Sequence, residues 1–260
     1  MTQAIILAAG EGKRLRPYTL HRPKAMVSLF GKPIIERQVE IFRSVGIEDI
    51  IVVTGYKAQQ MSHLPCEMVF NPNFSNSNMV YSLFTAEKFF KDSDIIVSYA
   101  DIVFERKSLE KLLISNNEID VLVDKGWRDL WTLRFRDPLS DAESMIIDKK
   151  GFIEQLGKKT NNYQEIQGQY MGLFKIRADM IRKLSSFYKN LDTERQYDTQ
   201  SFNDMYMTSF IQLLINDGWK VASTNVMHGW LELDSCDDLD LYEKLKESGE
   251  IFKFFDIESV

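Results

Sequence analysis

Short apolar runs alternate with amphipathic stretches through the first half of the chain. The runs Ala4–Ala8, Asp49–Thr54, Glu67–Phe70, Asp94–Tyr99 and Ile119–Val123 have the length and β-branched content of buried strands. Between them, Pro33–Val45, Met79–Phe90 and Lys107–Ser115 repeat their apolar residues at helical spacing. Strands and helices in this order predict an α/β fold, a Rossmann-like and mostly parallel sheet with helices on both faces. Ligands of such sheets collect at the carboxyl ends of the strands.

From Trp131 the pattern shortens. Trp131–Phe135, Ser144–Ile147, Phe152–Leu156 and Gln169–Ile176 read as strand pieces, with Gly151 at a turn, and predict a smaller mixed or antiparallel extension that covers one end of the cleft. Helical spacing returns at Ala178–Lys189, Asp204–Asn216 and Asp237–Glu247. No Pro/Gly/Ser linker or repeat interrupts the sequence, so residues 1–260 are expected to form one domain. Its expected parts are a first portion to about residue 125, a second over 126–235, and a C-terminal helix over 236–260.

Composition narrows the partners. With 44% hydrophobic and 27% charged residues in 260, the chain can bury a sizeable core. A formal net charge of −6 argues against a nucleic-acid partner while leaving local basic loops free to bind nucleotide phosphates. No apolar run is long enough to span a bilayer and the N-terminus lacks signal-peptide architecture, so no membrane partner and a cytoplasmic location are expected. Cys66 and Cys236 have no metal-type spacing.

The chemistry concentrates after the first strand, in LAAGEGKRLRP, Leu7–Pro17. Gly10 and Gly12 let main-chain N–H groups converge on phosphate oxygens, and Lys13, Arg14 and Arg16 bring cations within a few residues. The dinucleotide fingerprint is excluded because Leu15 stands where its third glycine belongs, and the GxxxxGK[ST] loop is absent. Lys24 follows Pro23, which stiffens its approach; it is either a phosphate-binding lysine or a surface lysine after a turn. Asp101, in SYADIVF, closes the apolar strand Ile95–Val97 and is either an Mg²⁺ ligand beside a triphosphate or the cap of a turn. Asp234 ends a short segment with Trp230 and Glu232, before Ser235 caps a helix, and is either a partner carboxylate for Asp101 or one more helix-entry acid; Asp237, Asp238 and Asp240 suit that helix's first turn.

The pattern LAAGxGxRLxP followed by PKAMVSLFGKPIIE resembles the signature of the nucleoside-diphospho-sugar pyrophosphorylase superfamily of nucleotidyltransferases. The resemblance implies a nucleotide-binding loop from Leu7 through Ala8, Ala9, Gly10, Glu11 and Gly12 to Lys13, catalytic roles for Arg14 and Lys24, and Mg²⁺ held by Asp101 and Asp234. The segment NPNFSNSNMVYSL, Asn71–Leu83, is similar to that of the phosphocholine cytidylyltransferase branch, which implies nucleotide contacts by Asn78, Tyr81 and Ser82 and CTP as donor. A plain helix start capped by Ser77 or Asn78 is the alternative reading.

The expected reaction is transfer of CMP from CTP to a small phosphorylated non-sugar acceptor, such as phosphocholine, aminoethylphosphonate or phosphoglutamine, with release of pyrophosphate. Trp127, Trp131, Tyr170 and Trp230 form either a cage for a quaternary ammonium or ordinary core. Arg134 and Arg136 could bind an acceptor carboxylate, and Asp141 and Glu143 an amine, or all four are solvated. Gln169 stands where the family usually has an acid and either bonds an acceptor amide or hydroxyl or is a strand residue turned to solvent. A sugar-1-phosphate nucleotidyltransferase and a non-catalytic nucleotide sensor remain as other readings, and a homo-oligomer stays open.

Overall fold

The computed structural model describes residues 2–259. In chain order the strands are β1 Thr2–Ala8, β2 Ser28–Leu29, β3 Lys32–Pro33, β4 Asp49–Thr54, β5 Glu67–Phe70, β6 Asp94–Tyr99, β7 Ile102–Phe104, β8 Ile119–Asp124, β9 Glu143–Ile147, β10 Ile153–Lys159, β11 Gln169–Ile176, β12 Val221–Val226 and β13 Trp230–Glu232. The helices are α1 Ile34–Ser44, α2 Met79–Thr85, α3 Arg106–Ile114, α4 Trp127–Arg134, α5 Ile181–Lys189, α6 Met207–Asn216 and α7 Cys236–Glu247.

Seven strands make one sheet in the order β12-β8-β11-β6-β1-β4-β5. All neighbours run parallel except β11, which is antiparallel to both β6 and β8. The chain first builds outward from β1 through β4 to β5, then returns to place β6 on the other side of β1. That reversal opens a crevice at the carboxyl ends of β1 and β6, where Leu7 pairs with Tyr99.

Strand residues alternate between two cores. Ala4, Ile6 and Ala8 face the side covered by α1, α3, α4 and α7, while Ile5 and Leu7 face α2, α5 and α6. Burial on both faces explains why these strands read as continuous apolar runs.

Three expectations need correction, and one strand was missed. Of Trp131–Phe135, Trp131 to Arg134 form the last part of helix α4 and not a strand, with Phe135 extended just beyond it, because Trp127, Leu130 and Trp131 are buried at helical spacing and that stripe outweighs the strand preference of aromatic residues. Gln169–Ile176 is a strand but joins the main sheet, leaving only β9 and β10 as the antiparallel extension. Val221–Val226, with Ser, Thr and Asn on an edge strand, lacked the apolar density that marks its neighbours. The C-terminal helix stops at Glu247, and left-handed Gly249 then turns the chain into a single 3₁₀ turn at Glu250–Lys253.

Candidate active site

Strand β1 ends at Ala8 and releases the glycine loop into the crevice. Gly12 adopts φ of +65°, and a Cβ there would lie 2.8 Å from Lys24 Cβ. Glycine therefore serves two needs at once, a left-handed turn and room for the stem of Lys24. Buried Leu15 anchors the loop, and the Thr19 hydroxyl donates to the Gly12 carbonyl at 2.8 Å. Lys13 and Arg14 project outward, with 69% and 73% of their side chains exposed.

Asp101 and Asp234 meet because β7 pairs antiparallel with β13, setting Ile102 opposite Glu232. The Leu233 N–H also donates to the Asp101 carbonyl at 2.8 Å. Lys24 Nζ lies 2.7 Å from Asp101 Oδ2 and 2.8 Å from Asp234 Oδ1, and Arg14 Nη1 reaches Asp234 Oδ2 at 2.5 Å. Burial opposes the Lys24 charge, yet the two carboxylates outweigh it and hold the ammonium above its ordinary pKa. Residues 24, 101 and 234, far apart in sequence, converge on one point.

Asp101 and Asp234 are the side chains here that could hold a divalent ion. Asp101 Oδ1 is buried with no hydrogen-bond partner among the described residues, so one carboxylate oxygen is left for a ligand. No cluster of three or more His, Cys, Asp or Glu poised for a metal occurs among the described residues. Two carboxylates with phosphate oxygens and water completing the shell match the way Mg²⁺ is commonly bound.

These groups line one cavity of about 620 Å³. Its loop end is lined by Gly10, Glu11, Gly12, Lys13, Arg14 and Asn78, and its far end by Trp131, Asp141, Glu143, Gln169, Tyr170 and Trp230. A recess of about 110 Å³ beside it is lined by Leu7, Ala8, Ala9, Asn78 and Ser82. Asn78 caps α2, its side chain accepting from the Met79 N–H at 2.8 Å, and it still faces the cavity. Ser82 is buried and its hydroxyl accepts from Asn71 Nδ2. Tyr81 lines neither space, because the turn of α2 carries it away from its neighbours.

The acceptor-end expectations change most. Trp127 lies outside the cavity lining, stacked on Tyr163 and edge-on to Trp131. Trp131 and Trp230 border the cavity but are only 4% and 2% exposed, their indole N–H groups donating to Asp141 and Asp124. They are core with an edge on the site, not an open cage. Gln169 is spent on the backbone of Glu143, accepting from its N–H at 3.2 Å and donating to its carbonyl at 2.7 Å. Arg134, 1% exposed, grips Asp238 at 2.8 and 3.2 Å and Glu232 at 2.8 Å, leaving no free fork for a carboxylate. Arg136 is exposed and outside the lining.

Glu232 is a site residue that the sequence reading did not single out. Burial raises its pKa against the pull of Arg134, with Asp101 and Asp234 adding to the rise. Its signal was the two-residue spacing from Asp234, which puts both on the same side of an extended segment. Asp238, read as a first-turn acid, does more than favour the helix dipole. It completes the capping box of α7 with Ser235 and accepts from the Asp234 N–H at 3.0 Å.

Comparison with known proteins fits this geometry. Residues 4–186 match the MobA-like NTP transferase domain. The chain belongs to that family. Over 248 residues the transferase is 40% identical to the CTP:phosphoglutamine cytidylyltransferase of Campylobacter jejuni, covering 92% of this chain and 98% of the relative. It is 29% identical to the choline-phosphate cytidylyltransferase of Streptococcus pneumoniae over 78% of this chain and 94% of that one. A solved structure of the CTP:phosphocholine cytidylyltransferase from Streptococcus pneumoniae superposes on the transferase with a TM-score of 0.69 at 25% identity, over 95% and 98% of the two chains.

Proposed function

We propose that this transferase moves a cytidylyl group from CTP to a small phosphorylated acceptor that is not a sugar, releasing pyrophosphate. End-to-end similarity to the phosphoglutamine enzyme carries the reading, supported by a cavity whose lining joins the glycine loop, Lys13, Arg14 and Lys24 to Asp141, Glu143 and Glu232. An acceptor phosphate or phosphonate oxygen attacks the α-phosphorus of CTP in line. The new P–O bond forms as the bond to the β-phosphate bridge breaks. That oxygen is already ionised at neutral pH, so no protein nucleophile or base is needed.

Catalysis is then positioning and electrostatics. The glycine-loop amides, Lys13 and Arg14 hold the departing pyrophosphate. Lys24, free to exchange its carboxylate partners for phosphate oxygens, brings the acceptor oxygen and the α-phosphate together. Asp101 and Asp234 would hold Mg²⁺, which supplies charge neutralisation for the triphosphate.

A matrix of nucleoside triphosphates against phosphoglutamine, phosphocholine, aminoethylphosphonate and hexose 1-phosphates, assayed for pyrophosphate with Mg²⁺ or with chelator, tests the reading. The expected result is Mg²⁺-dependent turnover of CTP with a non-sugar acceptor. A strong preference for a hexose phosphate overturns the acceptor class, and full activity in chelator removes the metal.

A further inference from the structure

Apart from Lys13, Arg14 and Lys24, the described lining of the cavity holds no Lys, Arg or His, and Asp141, Glu143 and Glu232 stand among its acids. Two of these acids are already answered by the protein. Glu232 is paired with Arg134 at 2.8 Å, and Asp141 accepts from Trp131 Nε1 at 3.0 Å. Glu143 has no cationic partner within salt-bridge distance among the described residues, and its nearby hydroxyl is that of Thr208 on α6.

Glu143 is also held still. Both backbone polar groups are clamped by the side chain of Gln169 on β11, so its carboxylate is presented to the cavity from a fixed point. Tyr170, adjacent to Gln169, lines the same cavity, its buried hydroxyl beside that of Tyr99. A desolvated carboxylate without a cationic partner is answered by a ligand that donates several N–H bonds. A quaternary ammonium donates none and relies on aromatic faces; Trp131 and Trp230 are too buried to offer them, which leaves Tyr206 as the exposed ring of the lining.

We infer that Glu143 selects the acceptor by accepting hydrogen bonds from a primary ammonium group on it, so that aminoalkyl or amino-acid phosphates are preferred to their trimethylated counterparts. The inference rests on the cytidylyl-transfer reading above. Burial and then the charge of Asp141 push the Glu143 carboxyl up to about 7, with Glu232 and Asp198 adding and Thr208 opposing. A bound ammonium reverses that balance and holds the carboxylate ionised.

The test measures pyrophosphate release from CTP at pH 8 with phosphoethanolamine, phosphoglutamine and phosphocholine, for the wild type and Glu143→Gln. The wild type is expected to favour the primary amines by about tenfold or more in kcat/KM, and Glu143→Gln to raise their KM by roughly ten- to thirtyfold while the KM for CTP stays put. A wild-type preference for phosphocholine, or an unchanged KM for the amines in the variant, overturns the inference alone. Inactivity with all three acceptors alongside turnover of hexose phosphates overturns the transferase reading and the inference together.

Discussion

At the loop end of the cavity Lys13 and Arg14 stand with 69% and 73% of their side chains in solvent, whereas behind the acceptor end Arg134 is 1% exposed and locked between Glu232 and Asp238. The exposed cations cost little to hold and are free to change partners when a triphosphate arrives. The buried one is committed to structure, since removing either side of such a pair leaves an uncompensated charge in the interior. One end therefore keeps its charge available for substrate, while the other spends cations on its own acids and leaves Glu143 to meet a ligand. Lys24 stands at the junction, bridging Asp101 and Asp234.

The largest expected effect lies at that junction. Lys24→Ala should lower kcat/KM for CTP-dependent transfer by about a thousandfold, the scale of losing one preorganised charge in a water-poor site. Steady-state pyrophosphate release measures it, and near-normal turnover removes Lys24 from the mechanism. A stability effect should dominate at Arg134. Arg134→Met leaves Glu232 and Asp238 without their cation and is expected to cost about 3–5 kcal/mol, read by urea denaturation. A loss well under 1 kcal/mol would mean that water reaches those carboxylates and would erase the contrast between the two ends.

The smallest effect runs in the opposite direction. Glu143 titrates near 7 in the fold against an ordinary 4.5, so the folded protein binds the extra proton between those values. Its contribution to stability is therefore lost as pH rises from about 4.5 through 7. Glu143→Gln, which never ionises, should be more stable than the wild type at pH 8 by roughly 1–3 kcal/mol. Thermal melts at several pH values check this, with the difference fading toward pH 4.5. A pH-independent difference would show that Glu143 is solvated.

The same contrast explains what was legible. The loop end is written in contiguous residues, from the apolar run of β1 through Gly10, Gly12 and Arg14, because a phosphate loop is a local device. The acceptor end is written nowhere in one piece. Arg134 looked like a free carboxylate binder until α4 proved to be a helix that turns it onto β13 and α7. Gln169 looked free to bond an acceptor until the pairing of β11 placed it under Glu143. Tyr81 fell out of the site because a helix of seven residues, Met79–Thr85, points consecutive side chains in different directions.

The sequence by itself determined the alternating α/β order, the buried strands, the glycine loop and the residue types able to bind phosphate, since hydrophobic periodicity and backbone freedom act over a few residues. Tertiary structure alone decided that Asp234 meets Asp101 and Lys24 through the pairing of β13 with β7, and which acids keep a partner. Charge pairing in an interior depends on distance and desolvation between elements far apart in the chain, and neither is encoded in local pattern.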